Sequence, residues 1–144
     1  MRDDFKSVAD QLEYEFKYGR KDFLNMVDNV DESKIYIYMD PPKITPERSG
    51  TGAKTGETVV GKFMMLKKGS LDAQYDESLQ GEEVDSDTKY QAIIKPMIPL
   101  LDAFLVGVEN CGNDWEIQYS FTEIINVDDL VMDGLLVNYT ARSF

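Results

Sequence analysis

Gly56-Glu57-Thr58-Val59-Val60-Gly61-Lys62-Phe63 has the spacing of a phosphate-binding loop up to its last position. There the chemistry needs a hydroxyl to reach magnesium, and Phe63 has none. The context fails as well, because such a loop opens a helix while Thr58 to Leu66 has strand composition. The neighbouring Gly50-Thr51-Gly52-Ala53-Lys54-Thr55-Gly56 also has the composition of a phosphate cradle, yet no helix N-terminus follows it. The better reading of the stretch is a flexible arm that orders on a partner.

Other reactive groups are sparse. The chain has no histidine and one cysteine, Cys111, so it can form neither an internal disulfide nor a zinc site of thiols and imidazoles. Cys111 reads as a small half-buried residue in a turn. Glu82-Glu83 and Asp128-Asp129 are adjacent carboxylates in polar stretches, whereas acid–base catalysis needs two carboxylates in different environments inside a cleft. Asp128-Asp129 with Asp133 lacks the ligand order of a calcium loop. No cofactor or metal is expected, and an enzyme is the weakest class.

The charge narrows the partners. At 144 residues with a formal net charge of −12, the chain is sized for one domain and is poorly suited to hold DNA, whose affinity for proteins comes from cations on phosphates. No leader-like apolar segment opens it, and no apolar run approaches the ~20 residues that span a bilayer. A reducing, soluble compartment is expected, with no membrane. Asn138-Tyr139-Thr140 matches a glycosylation sequon inside an expected strand and is read as accidental.

The elements that must position these residues follow from periodicity. Phe5, Val8, Ala9, Leu12 and Phe16 recur at helical spacing, predicting a helix from about Asp4 to Lys17 that stops near Gly19. A short turn of helix around Phe23 and Met26 is a further candidate. Lys34 to Asp40 alternates aliphatic residues with tyrosines as a strand does, and Pro41-Pro42 ends it. Residues 43–57 then form an extended loop or hairpin arm, and Thr58 to Lys68 a second strand. Between Asp72 and Asp87 every charge is negative: Asp72, Asp76, Glu77, Glu82, Glu83, Asp85 and Asp87. This reads as a solvated acidic loop.

Tyr90, Ile93, Ile94, Met97, Leu101, Phe104, Leu105 and Val108 mark one face of a long helix that Pro96 and Pro99 should kink or split, with Asn110, Gly112 and Asn113 closing it. Trp115, Ile117, Tyr119 and Phe121 alternate with polar residues and should pack on that helix. Leu135 to Arg142 forms the last strand, antiparallel to the one before. The expected architecture is a single α+β domain over 1–144, an antiparallel or mixed sheet with helices on one face, in the order α-β-β-α-β-β.

This layout, with its closing strand Asp133-Gly134-Leu135-Leu136-Val137-Asn138-Tyr139-Thr140, resembles the ring-forming neck and tail proteins of tailed bacteriophages. The nearest family is the tail-terminator, or tail-completion, family. The resemblance implies a virion structural protein made in the host cytoplasm and placed at the neck or tail end, most often as a hexamer. Its partners would be copies of itself and neighbouring neck, connector or tail-tube proteins. Arg48, Thr51, Lys54 and Thr55 would then lie on an inter-subunit arm, and the carboxylates of Asp72 to Asp87 would face a lumen through which DNA passes without specific binding. An acidic wall would repel phosphate and keep the duplex from stalling. The competing class is a small monomeric adaptor or inhibitor that binds through Tyr36, Tyr38 or Tyr119.

Overall fold

The computed structural model describes residues 1–19, 33–68, 90–127 and 132–144. The acidic stretch 72–87, the segment around Phe23 and Met26, and Asp128-Asp129 lie outside the described residues.

The first helix, α1 (Arg2–Gln11), buries Phe5, Val8 and Ala9 and stops well short of the expected Lys17. Its end is a Schellman closure: Tyr14 N–H bonds the Ala9 carbonyl at 2.8 Å and Glu13 N–H bonds Asp10 at 3.2 Å. Glu13 takes the left-handed conformation usual for glycine there, with φ 61°. Leu12 is consequently exposed, and Phe16 belongs to a strand, β1 (Glu15–Tyr18). The apolar spacing ran on across the break with no glycine to mark it.

The remaining strands are β2 (Ile35–Met39), β3 (Lys43–Arg48), β4 (Lys54–Lys68), β5 (Glu116–Val127) and β6 (Met132–Ser143). Among the described residues the sheet has six strands in the order β1-β2-β4-β6-β5, with β3 paired to β4 beside that path. Only β1 and β2 are parallel, so the sheet is mixed. The long strand β4 organises it. One edge of β4 pairs with β6 along Glu57 to Lys68, and the other is shared between β2 at Phe63 to Lys67 and β3 at Lys54 to Val60.

The described order is α-β-β-β-β-α-β-β, which corrects the shorter expected order by adding β1 and β3. Both were missed for a physical reason: β1 has four residues, and β3 carries Pro46 and charges with almost nothing to bury.

A π-helical turn (Tyr90–Ile94) leads into α2 (Lys95–Glu109), so the long helix is split ahead of its prolines. Pro96 sits in the first turn, where a missing N–H costs no helical bond, and Pro99 lies inside. The closing signals hold: Asn110 Nδ2 donates to the Val106 carbonyl at 2.9 Å.

Both helices pack on one face of the sheet. Phe5 stands edge-on to Phe63 and Phe104, with ring centroids 5.1 and 5.4 Å away, and Tyr139 closes the group. Such pairs add about 0.5–1.5 kcal/mol beyond area burial. The opposite face is sealed only over part of its extent, by a second buried cluster of Tyr36, Tyr38, Leu66 and Met132. Across the strands β3, β4, β6 and β5 that face is mostly polar and open: Lys62, Asn138, Thr140, Gln118 and Ser120 are all exposed.

Candidate functional site

The arm begins where Pro41-Pro42 takes the chain off the end of β2. Proline disfavours helix in the residue before it and gives no ladder donor, so the chain stays extended and re-enters the sheet as β3 farther along β4. The result is a β3–β4 hairpin, an outcome that fits the arm expected over 43–57.

The tip is closed from within the chain. Ser49 N–H bonds the Ala53 carbonyl at 2.8 Å and Gly52 N–H bonds Ser49 at 2.9 Å. The hydroxyls of Ser49 and Thr51 meet at 2.7 Å, and Arg48 Nη1 donates to the Gly52 carbonyl at 2.9 Å. Lys54 Nζ pairs with Glu57 at 3.0 Å. Three of the four arm candidates, Arg48, Thr51 and Lys54, thus shape the tip itself, and Thr55 is exposed beside them. The seven acidic candidates from Asp72 to Asp87 lie outside the described residues.

A cluster at the arm's base escaped the sequence reading. Glu47 accepts from Arg142 Nη2 and from Thr58 Oγ1, both at 3.1 Å, joining the arm to the last strand. The Arg142 hydrogen bond, followed by that from Thr58, holds the Glu47 carboxyl below its ordinary pKa, against a smaller opposing effect of desolvation. The Arg142 guanidinium also lies over the Phe144 ring, 4.7 Å from its centroid. Nothing in the spacing of residues 47 and 142 announces this contact, since it depends on β4 lying between β3 and β6.

The alternating strand behaves differently at its two ends. Trp115 is buried and Ile117 half-buried against α2, but Tyr119 and Phe121 remain 38 % and 37 % exposed on the same face. The Tyr119 hydroxyl donates to Asp102 of α2 at 3.2 Å. Burial, and then this carboxylate neighbour, raise its pKa. Leu100 and Val106 of α2 are exposed as well. By contrast Tyr36 and Tyr38 are buried, which removes two of the three interface tyrosines of the adaptor reading.

The phosphate-loop lookalike is strand throughout. A Cβ on Gly61 would come within 2.8 Å of the Tyr139 hydroxyl and 3.0 Å of Pro42 Cβ, and one on Gly56 would run into the Ser143 carbonyl. These glycines serve close packing inside the sheet. Cys111 is half-buried just after α2, as expected. Asp133 is buried at the start of β6. Among the described residues no group of histidine, cysteine and carboxylate side chains is arranged to hold a metal ion. No described helix is long and apolar enough to cross a membrane.

A groove of about 680 Å³ opens where the chain crosses from β2 to β3, lined by residues that include Asp40, Lys43, Lys62 and Asn138. Lys62 lies 3.7 Å from Asp40. No protein-family model matches the chain, and no curated protein matches it in sequence.

Proposed function

We propose that the protein is a structural subunit of a tailed-bacteriophage neck or tail, assembling with copies of itself into a ring of the tail-terminator kind through which DNA passes. The observation that carries this reading is the β3–β4 arm. It extends the sheet beyond the helices, closes its own tip, and exposes Ile44 and Val60 at 52 % and 49 %. A stable monomer gains nothing from such an element, while an assembly uses it to reach a neighbour.

The α+β layout, with two helices on one face of a mixed sheet, agrees with the resemblance drawn from sequence. The net charge of −12 suits a channel for DNA. On this reading the carboxylates from Asp72 to Asp87 line the lumen, neighbouring neck and tail-tube proteins stack above and below, and the chain performs no catalysis.

Reconstruction of intact particles is the deciding experiment. The expected result is a closed ring, six-fold in the simplest case, on the DNA path. A protein found only as a free monomer, or absent from purified particles, overturns the reading. Reversal of several of the seven carboxylates to lysine tests the lumen separately. It should leave folding unchanged and make particles retain or release DNA abnormally, more so at low salt.

A further inference from the structure

The outer strand β5 is unusual as a sheet edge. Proteins blunt such edges with proline, lysine, bulges or short length, because unpaired backbone groups recruit other chains. β5 is twelve residues long and contains no proline, glycine, lysine or arginine, and its one irregularity, between Ile124 and Val127, lies past the regular stretch from Glu116 to Ile124. Among the described residues it pairs only with β6. Its Tyr119 and Phe121 are exposed on the helix-covered face, and Glu116 is exposed on the other.

The sheet's opposite edge in this half is β3, which among the described residues pairs only with β4. Pairing fixes the faces of its side chains. Ile44 lies opposite Val59 and shares the helix-covered face, as does Pro46, and both are exposed. Glu47, bonded to Thr58 and Arg142, lies on the open face; the extra residue at the irregularity is Thr55 of β4, so β3 alternates through it and Arg48 stays on the helix-covered face with Ile44 and Pro46. Strand directions alternate through β3, β4, β6 and β5, so β3 and β5 run oppositely. Rotation about a ring axis preserves both face and direction. An arm meeting the next copy's β5 would therefore meet it antiparallel, with like faces continuous.

We propose that the outer edge of β5 receives β3 of a second copy as an added antiparallel strand, with Ile44 beside Phe121 and Pro46 beside Tyr119. The two-residue spacing of the apolar pair is the same on both strands. The charges are complementary: β5 carries Glu116 and Glu123 with no cation, while β3 presents Lys43 and Arg48, its Glu47 being paired with Arg142 of its own chain. Among the described residues neither Arg48 nor Glu116 has an ion-pair partner within its own chain.

Closure supports the same register. Within one copy the row through Ile44 runs across Val59 and Ala141 to Ile117. Setting Ile44 against Phe121 instead staggers the sheet by about four residues over four strands, roughly the one-per-strand ratio of closed barrels tilted near 36°. Seen from the copy that supplies the arm, the stagger moves the receiving β5 toward the arm's tip and away from β1 and β2, which occupy the other half of that sheet edge. The inference rests on the ring reading above and names its interface.

Disulfide trapping tests it. In a Cys111→Ser background, Ile44→Cys and Phe121→Cys are combined, since directly opposed residues place their Cβ atoms within bridging distance. Mild oxidation of concentrated full-length protein should give a ladder of linked copies on a non-reducing gel, and either cysteine alone should give none. A disulfide-linked dimer from Ile44→Cys alone would mean a two-fold contact and overturn the proposal. Absence of a ladder in a sample whose native mass is that of a ring overturns this interface and leaves the ring standing. A protein monomeric at every concentration overturns the pairing, and the ring reading then depends on particle reconstruction. Charge reversal is the second arm: K43E combined with R48E sets carboxylates on β3 against those of β5 and should weaken association several-fold. Undiminished association of that variant counts against the pairing of these two edges.

Discussion

The indole Nε1–H of Trp115 donates to Asp4 Oδ2 at 3.1 Å, joining the entrance of β5 to the first turn of α1 across 111 residues of chain. Asn113 Nδ2 donates to the other oxygen of the same carboxylate at 2.9 Å, and the Met1 amino group lies 3.2 Å from Oδ2. A single buried carboxylate thus fixes how α1 sits on the far end of the sheet. Asp4 lies in the first turn of α1, where a carboxylate complements the helix dipole, and there it receives the one tryptophan.

Two substitutions separate packing from polarity here. Trp115→Ala should lower stability by about 3–5 kcal/mol, because it empties a core position and strands Asp4. Asp4→Ala keeps the indole and should cost about 1–3 kcal/mol, the range for leaving buried donors unsatisfied. Chemical denaturation of both variants checks the order; equal losses would show that the hydrogen bond, and not the packing, is decisive.

Tyr139 provides the opposite case. Its hydroxyl is buried with no hydrogen-bond partner among the described residues, so Tyr139→Phe should stabilise the fold by about 1 kcal/mol. Burial first, and then Tyr18, push its pKa well above the ordinary 10.0. The native state therefore keeps a proton that the unfolded chain releases above about pH 10. Stability contributed by this group is complete below that pH and falls as pH rises toward the native pKa. Comparing alkaline unfolding of wild type and Tyr139→Phe should show a smaller loss in the variant.

Glu47 has the contrary sign. Its pKa lies below the ordinary 4.5 in the folded arm, so its contribution is present above that value and is lost as pH falls through the lower native pKa. Carboxyl chemical shifts across an acid titration should place Glu47 below the exposed glutamates, and Arg142→Gln should return it toward them. An unshifted Glu47 in wild type would mean that the arm is not held to β6 in solution.

The arm tip should be dispensable to the fold. Replacing Ser49 to Ala53 by a short Gly/Ser turn removes only exposed or half-buried side chains and should leave the melting temperature nearly unchanged. The same variant should fail to enter particles. Normal incorporation would exclude the tip from assembly.

What the sequence determined by itself was the set of strongly periodic elements. Ile35 to Met39, Ile117 to Phe121 and the stripe from Met97 to Val108 declare strand or helix because each repeats its apolar side chains at one period over enough residues to bury a face. Proline and glycine punctuation likewise marked the arm. The true end of α1 was hidden, because its left-handed closing residue is Glu13 and the stripe continued into a strand. Only the tertiary structure decided that β4 would share one edge between β2 and β3. From that sharing follow the Glu47–Arg142 contact and the open edges of β3 and β5. It also decided how far α2 reaches along β5, which is why Trp115 is core and Phe121 surface on one alternating strand. Periodicity assigns a residue to a face; the length of the neighbouring element decides whether that face is covered.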